Sequence, residues 1–366
     1  MRVEDVRSLF PALDRVVYLN TPTAAPAARP VLDAVRRAED EWASGEFSWQ
    51  GWEAEADATR EAFARMVGGA DGHVSLVSSM AEAATTVAAG LDPGRVVVGA
   101  HEFRSNLFPW LALRRRGFDV VEVPDTDGVV PTADLVAAID DGTVLVTVTE
   151  VQSSNGFRVR IGEVGARCRD VGARLFVNLT QSLGALRFDV ERAGADFVAA
   201  HGYKWLLAPR GAAWLWVRAE HLEGLRPLAP SWKTVPDPYA DYYGGHPDLP
   251  LDGRRLDATL AWFSWVGARA ALDLLAGLDP RTVEARCLDL AAAFRREAGA
   301  RGFALVPQDA PSQTVALRAP DPSGLKRRLL ARRVVGAVRS GALRLGFHVY
   351  NDERDVEAAL GALGNP

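Results

Sequence analysis

The sequence predicts an α/β fold, with a large domain built on a mostly parallel sheet flanked by helices and a smaller α+β domain at the C-terminal end. Three observations carry this expectation. From about residue 74 to 218, short β-branched runs alternate with amphipathic segments, the signature of repeated β-α units. Residues 226–258 interrupt the alternation with prolines at 227, 230, 236, 238, 247 and 250, and long loops of this kind usually serve as lids or interface arms. Beyond them, two long helical patterns lead into a tail where short strands and helices alternate. At 366 residues and 48% hydrophobic content, the chain has room for about two domains and a large core.

In chain order, residues 1–50 are expected to pack on the small domain, 51–258 to form the large domain, and 259–366 to form the small domain, introduced by a long linking helix. The expected strands are Arg95–Gly99, Asp119–Val123, Thr143–Thr149, Arg174–Asn178, Asp196–Ala200 and Ala212–Val217. Helices are expected near 80–90, 105–116, 132–140 and 162–172, then over 259–276 and 282–301.

Composition narrows the function classes. A net charge of −5 offers no basic footprint for nucleic acid. The Arg-rich stretch 326–333 places its leucines at helical spacing and reads as a surface helix. The first residues are charged and lack an apolar h-region, and no apolar run reaches membrane-spanning length, so a soluble, cytoplasmic protein is expected. The two cysteines, Cys168 and Cys287, fall inside helix-like segments and suggest neither a disulfide framework nor a metal site.

Lys204 stands out. Of 42 basic residues only three are lysines, and Lys204 ends an apolar run, Phe197-Val-Ala-Ala-His-Gly-Tyr-Lys-Trp-Leu-Leu-Ala-Pro209. Arginine can carry solubility and ion pairs, so a lysine kept in such a setting suggests an amine whose pKa is lowered by desolvation, as Schiff-base chemistry requires. A lysine merely snorkelling from a strand end is the competing reading. Polar Asn178 and Gln181 follow a neighbouring buried strand, at the carboxyl edge where open α/β sheets place ligands. The segment Ser78-Ser-Met-Ala-Glu82 opens a helix, whose free backbone N–H groups favour an anion.

The ordered set Glu150-Val-Gln-Ser-Ser-Asn-Gly156, Asn178-Leu-Thr-Gln181, Ala195-Asp-Phe197, His201-Gly-Tyr-Lys-Trp205 and Gly211 resembles the class V branch of the pyridoxal-phosphate aminotransferases. This branch includes cysteine desulfurases, kynureninases and isopenicillin-N-epimerase-like enzymes. The resemblance runs from Val17 to Asn351 and implies the type I PLP-dependent transferase fold, with pyridoxal 5'-phosphate as cofactor. It makes Lys204 the lysine that bonds the cofactor aldehyde and later carries the Cα proton. It gives the phosphate to Ser79, Met80, Ala81, His201 and Tyr203, with Thr259 reaching the phosphate of a partner subunit. It stacks Phe103 on the pyridine ring, puts Gln181 and Ser153 at the ring oxygen, and faces Asn178 to the ring nitrogen. Arg344 would grip the substrate carboxylate as a bidentate fork, with Asn20 and Trp232 also on the substrate side.

Two departures bear on the reaction. The family normally has aspartate at position 178, whereas a neutral amide leaves the ring nitrogen unprotonated and the ring a weaker electron sink. Cysteine desulfurases need a nucleophilic cysteine on a C-terminal loop, yet 303–345 contains none. The aromatics Phe47, Trp49, Trp52, Trp232, Tyr239, Tyr242 and Tyr243 would either shape a roomy pocket mouth or pack a subunit interface.

The expectation is therefore a homodimeric pyridoxal-phosphate enzyme with its site at the subunit interface. It would capture an amino acid and carry out β-elimination, a C–S lyase reaction, on a bulky cysteine conjugate of specialised metabolism. An epimerase, an aminotransferase, a decarboxylation-coupled oxidative deaminase and a non-catalytic binding protein of the same fold remain the alternatives.

Overall fold

The computed structural model describes residues 1–246 and 248–365; Pro247 of the proline-rich loop lies outside the described residues. Seven strands form the central sheet: β1 (Val74–Val77), β2 (Arg95–Gly99), β3 (Asp119–Val123), β4 (Thr143–Thr149), β5 (Arg174–Asn178), β6 (Phe197–His201) and β7 (Ala213–Val217). Their spatial order is β1-β7-β6-β5-β4-β2-β3. Strands β2 to β6 pair in parallel, and β7 runs antiparallel between β6 and β1. The carboxyl ends of β1 and β6 therefore point to the same edge.

Burial on both faces explains why the inner strands are mostly apolar, whereas the edge strand β3 keeps Asp119 exposed and Glu122 partly so. Alternate residues separate into two cores: Val97, Val146, Val148, Leu175, Val177 and Val198 pack on one side, and Val96, Val98, Leu145, Phe176, Phe197 and Ala199 on the other. Each valine, leucine or phenylalanine among them contributes about 1.5–3 kcal/mol of burial free energy. The helices lie close to their expected places, at Met80–Ala89, Arg104–Leu111, Thr132–Ala137 and Ile161–Val171. Strand β1 was not expected: four residues with Ser75 inside are too short to show a pattern.

A second, four-stranded antiparallel sheet has the order Ala337–Arg339, Ala342–Gly346, Thr314–Arg318, Ala304–Leu305. It packs against Pro280–Ala300, Pro322–Ala331 and Glu353–Leu363 through Leu290, Phe294, Leu329, Leu345, Phe347 and Leu360. Helix Pro280–Ala300 begins with Asp279 accepting from Thr282 N, and with proline at its first position, where no N–H is needed. The Arg-rich helix Pro322–Ala331 buries Leu325 and Leu329 and leaves Arg327 and Arg328 outward.

The N-terminal segment joins this part of the chain: Val17–Tyr18 and Val334–Val335 form a separate two-stranded parallel sheet, Gly346 N of the four-stranded sheet donates to Leu19 O at 2.8 Å, and Arg7 Nη1 donates to Asp355 at 2.7 Å. The following helix, Arg29–Ser44, lies along Trp262–Ala276. The proline-rich loop is tied down at its end by Asp257, which accepts from Arg60 and from Leu76 N at 2.9 Å. Near its start Lys233 pairs with the fully buried Glu53. Among the described residues, no helix is long and apolar enough to cross a membrane.

Candidate active site

Lys204 sits in the connection from β6 to β7, at the carboxyl edge of the large sheet. Gly202 N donates to Ala212 O at 2.9 Å and Ala208 N to Gly202 O at 3.1 Å, closing the connection on itself. A Cβ on Gly202 would come within 2.9 Å of Ala208 Cβ, so the crossing needs glycine. Leu207 takes a left-handed φ of 60°, an unfavourable conformation for a γ-branched residue, beside the lysine it follows. Lys204 is 5% exposed, and its Nζ lies 5.3 Å from the centroid of the Tyr203 ring and 5.6 Å from that of Phe103. Burial, and then the charges of Arg344, Arg339 and Arg210, bring the Lys204 amine down to about 7. A large fraction is thus an uncharged nucleophile near neutral pH.

The cavity in front of Lys204 has a volume of about 790 Å³ and includes Phe103, Ser153, Tyr203, Arg210, Arg339 and Arg344 in its wall. A cavity of about 850 Å³ opens elsewhere, between 158–162 and 183–189, and does not contain Lys204. We place the chemistry in the former because the perturbed amine is there.

Asn178, Gln181 and His201 form the layer behind that wall. Gln181 accepts from Trp205 Nε1 at 3.0 Å, which fixes its amide, and donates from Nε2 to Ser153 Oγ at 2.9 Å and Pro22 O at 3.0 Å. Asn178 accepts Thr180 N at Oδ1 and donates from Nδ2 to Thr149 Oγ1, both at 3.0 Å. Thr149 Oγ1 donates to Glu102, which also accepts Thr149 N at 2.8 Å. His201 faces Tyr203 edge-on, with ring centroids 4.5 Å apart. Burial, Lys204 and Arg210 hold the imidazole neutral, with its pKa at about 4. Its Nε2 accepts Gly211 N at 3.5 Å, which leaves the ring proton on Nδ1.

At the same edge, helix Met80–Ala89 presents its N-terminus. Ser79 caps it by accepting Glu82 N, and the first intrahelical bond is Ala83 N to Ser79 O, so the amides of Met80 and Ala81 precede the ladder. At the other end, Arg344 is 2% exposed, donates to Ser153 O and to Thr23 Oγ1 at 2.9 Å, and leaves Nε without a partner. Burial and Arg339 lower its pKa to about 9, and no carboxylate offsets this.

Ser79, Met80 and Ala81 at the helix N-terminus are not part of the cavity wall, and three more expected residues also stand apart from it. Thr259 is exposed, Trp232 packs among Trp49, Tyr239 and Tyr242, and Asn20 is partly buried with an unpartnered Oδ1. Several participants were missed. Thr23, Thr149, Glu102, Arg210 and Arg339 join the site only through tertiary contact. His348 accepts Val349 N at Nδ1 and donates from Nε2 to Trp205 O at 2.9 Å, bracing the lysine loop. Glu102 directly precedes Phe103 and His348 lies four residues beyond Arg344, so nearness in sequence to expected site residues was the available signal.

The sequence model of the family Aminotransferase class-V matches residues 17–359. The chain belongs to the class-V aminotransferase family. A probable cysteine desulfurase of Methanothermobacter thermautotrophicus is 32% identical over 293 residues, covering 78% of this chain and 72% of that protein. Isopenicillin N epimerase of Streptomyces clavuligerus is 30% identical over 379 residues, covering 95% and 94%. Among solved structures, the apo cysteine desulfurase of Thermococcus onnurineus NA1 superimposes with a TM-score of 0.85 at 22% identity, over 98% of this chain and 96% of that one. The cystine C-S lyase C-DES in complex with cysteine persulfide gives 0.85 at 20%, over 98% and 100%.

This class-V protein has the type I fold, and its cofactor is pyridoxal 5'-phosphate. Its residues fit that group: a buried amine with no anionic partner, a helix N-terminus at the same sheet edge, and an aromatic face at Phe103. Gly211, at φ 110°, passes so close to Ser264 that a Cβ would lie 2.9 Å from its hydroxyl.

Proposed function

We propose that the chain captures an amino acid at Lys204 and performs β-elimination, releasing a thiol from a cysteine conjugate. The observation that carries this reading is the pairing, in one cavity, of a buried lysine without an anionic partner, its pKa lowered by burial to about 7, with an arginine whose Nε has no partner. Pyridoxal phosphate, when bound, supplies an aldehyde for covalent capture of amines and a ring that draws electrons from the bonds at Cα. Lys204 would hold that aldehyde through Nζ and, once the substrate amine has displaced it there, the freed Nζ would take the Cα proton. The Met80 and Ala81 amides with Ser79, His201 Nδ1–H and Tyr203 would hold the phosphate, and Phe103 would cover the ring face. Arg344 binds the α-carboxylate through Nε and so orients Cα–H toward the lysine.

The amide of Asn178 cannot supply the negative charge that keeps a ring nitrogen protonated, so reactions that expel a leaving group promptly suffer least. A relay through a protein thiol is disfavoured. Both cysteines are buried, and burial raises the Cys168 thiol to about 12 and Cys287 further. The sulfur would leave from the substrate itself. A cavity of about 790 Å³ accommodates a bulky S-substituent, as conjugates of specialised metabolism carry. We further propose a homodimer, with the exposed Trp42, Phe47, Tyr239 and Tyr242 meeting a second copy and Thr259 and Trp232 serving its site.

A second reading, epimerisation, is favoured by the 95% coverage in the match to isopenicillin N epimerase. Incubation with S-alkyl cysteines decides between them. Pyruvate and free thiol support elimination, whereas solvent deuterium at Cα with neither product supports epimerisation.

A further inference from the structure

We propose that the substrate carries a second anionic group on its side chain and that Arg339 binds it. The proposal rests on reading the Lys204 cavity as an amino-acid site.

Arg339 and Arg344 belong to one hairpin, in which Ala337 pairs with Arg344 and Arg339 with Ala342. Side chains alternate along a strand, so Arg339 projects from the same face as Ala337 and Arg344 and is the diagonal neighbour of Arg344. The turn holds this register, with Ser340 at φ 45° and Gly341 at φ 73° in the left-handed region that two-residue hairpin turns require. Both guanidinium groups reach Thr23 Oγ1, Arg344 at 2.9 Å and Arg339 at 3.4 Å. The other recorded bond of Arg339 goes to its neighbour's carbonyl, Val338 O, and among the described residues neither arginine pairs with a carboxylate.

The positive charge of the cavity divides into two ends. Arg210 lies 5.6 Å from the Tyr203 ring centroid and acts on His201, at the end that suits the cofactor phosphate. Arg339 acts on Arg344, at the end that suits the α-carboxylate. With the phosphate and the α-carboxylate both accounted for, Arg339 is a surplus cation held beside a like charge. Arg339 is exposed at the cavity rim, so water screens part of that repulsion and a charged ligand can reach the guanidinium. On the outer wall, helix Arg29–Ser44 adds Arg36 and the sole lining carboxylate, Glu39, so the cavity stays positive overall. A side chain ending in a carboxylate, sulfonate or phosphate matches this arrangement, including a cysteine conjugate whose S-substituent bears an acid.

The test uses holoenzyme and α-methyl amino acids, which lack the Cα proton and report binding through cofactor absorbance. α-Methylglutamate is compared with its neutral isostere α-methylglutamine, and each with its next longer homologue. The acid should bind wild type about tenfold tighter than the amide, a preference screened by salt. Arg339→Gln should abolish the preference, read as the acid-to-amide affinity ratio within the variant, and the absorbance change the neutral probe still causes shows that the variant is folded. Arg339→Lys should keep part of it. Equal affinities in wild type, or a preference surviving in Arg339→Gln, would overturn the proposal while leaving the amino-acid reading intact. If neither kind of probe perturbs the absorbance, the amino-acid reading itself fails.

Discussion

Asn178 donates from Nδ2 to Thr149 Oγ1 at 3.0 Å, and the Thr149 hydroxyl is itself committed to Glu102. The threonine can therefore only accept from position 178. Together with Thr180 N donating to Oδ1 at 3.0 Å, this holds the amide in one orientation. Burial raises the pKa of the Glu102 carboxyl, although Thr149 and Asn106 both donate to it.

Asn178→Asp would set a second carboxylate against the same hydroxyl. We expect two effects: a larger share of transamination products, because the ring nitrogen gains a charged partner, and a loss of about 1–3 kcal/mol of stability from competition for one proton. Product analysis by mass spectrometry and thermal unfolding check these. Adding Glu102→Gln should recover much of the stability. An unchanged product distribution would count against this account of the ring nitrogen.

The pKa of Lys204 sets a pH dependence in the cofactor-free protein. Folding lowers it from 10.5 to about 7, so between these values the unfolded chain holds the extra proton and stability rises with pH. Below about 7 both states are protonated and the full penalty of a buried ammonium is present. Lys204→Met should therefore melt higher than cofactor-free wild type at low pH, and the gap should close as pH climbs toward 10.5. A gap independent of pH would rule this out. The same variant should lose about 10²–10⁴-fold in turnover.

The pair Lys233 and Glu53, buried at 3% and 1% side-chain exposure, predicts a strong asymmetry. Lys233→Met alone strands a buried carboxylate that retains only the Trp262 Nε1 bond at 2.8 Å, and should cost about 3–5 kcal/mol. Combining it with Glu53→Leu should return most of that loss, since apolar replacement of a whole buried pair is often near neutral. Denaturant midpoints of the three variants measure it.

Cys168→Ala and Cys287→Ala should leave thiol release from S-alkyl cysteines within about twofold of wild type, with only the modest stability loss of small core truncations. A collapse of turnover in either folded variant would restore the protein-thiol relay.

The parallel strands were legible because each carries a short run of buried β-branched or apolar residues, and β2 to β5 fall where those runs were expected, with charged or polar residues such as Arg95, Asp119, Arg174 and Asn178 at their ends. Lysine scarcity made Lys204 visible: with only three lysines in the chain, the one that ends an apolar run is conspicuous. Glu102, Thr149 and Asn178 were harder to connect, because residues 47 and 29 positions apart meet only once three parallel strands have aligned. Arg339 was hidden by abundance, one arginine in a chain that uses them everywhere. Trp232 and Thr259 lie away from Lys204 within one chain, and their expected roles need a second copy.

Four hydrogen bonds stitch the surroundings of Lys204 together: Arg344 to Ser153 O, Gln313 to Gln181 O, His348 to Trp205 O and Gln181 to Pro22 O. Every acceptor is a peptide carbonyl, which has no proton to gain or lose near neutrality. The seam between the two sheets therefore keeps its grip over the same interval in which the lysine it surrounds changes charge, so acidity can tune the nucleophile without loosening the frame that aims it.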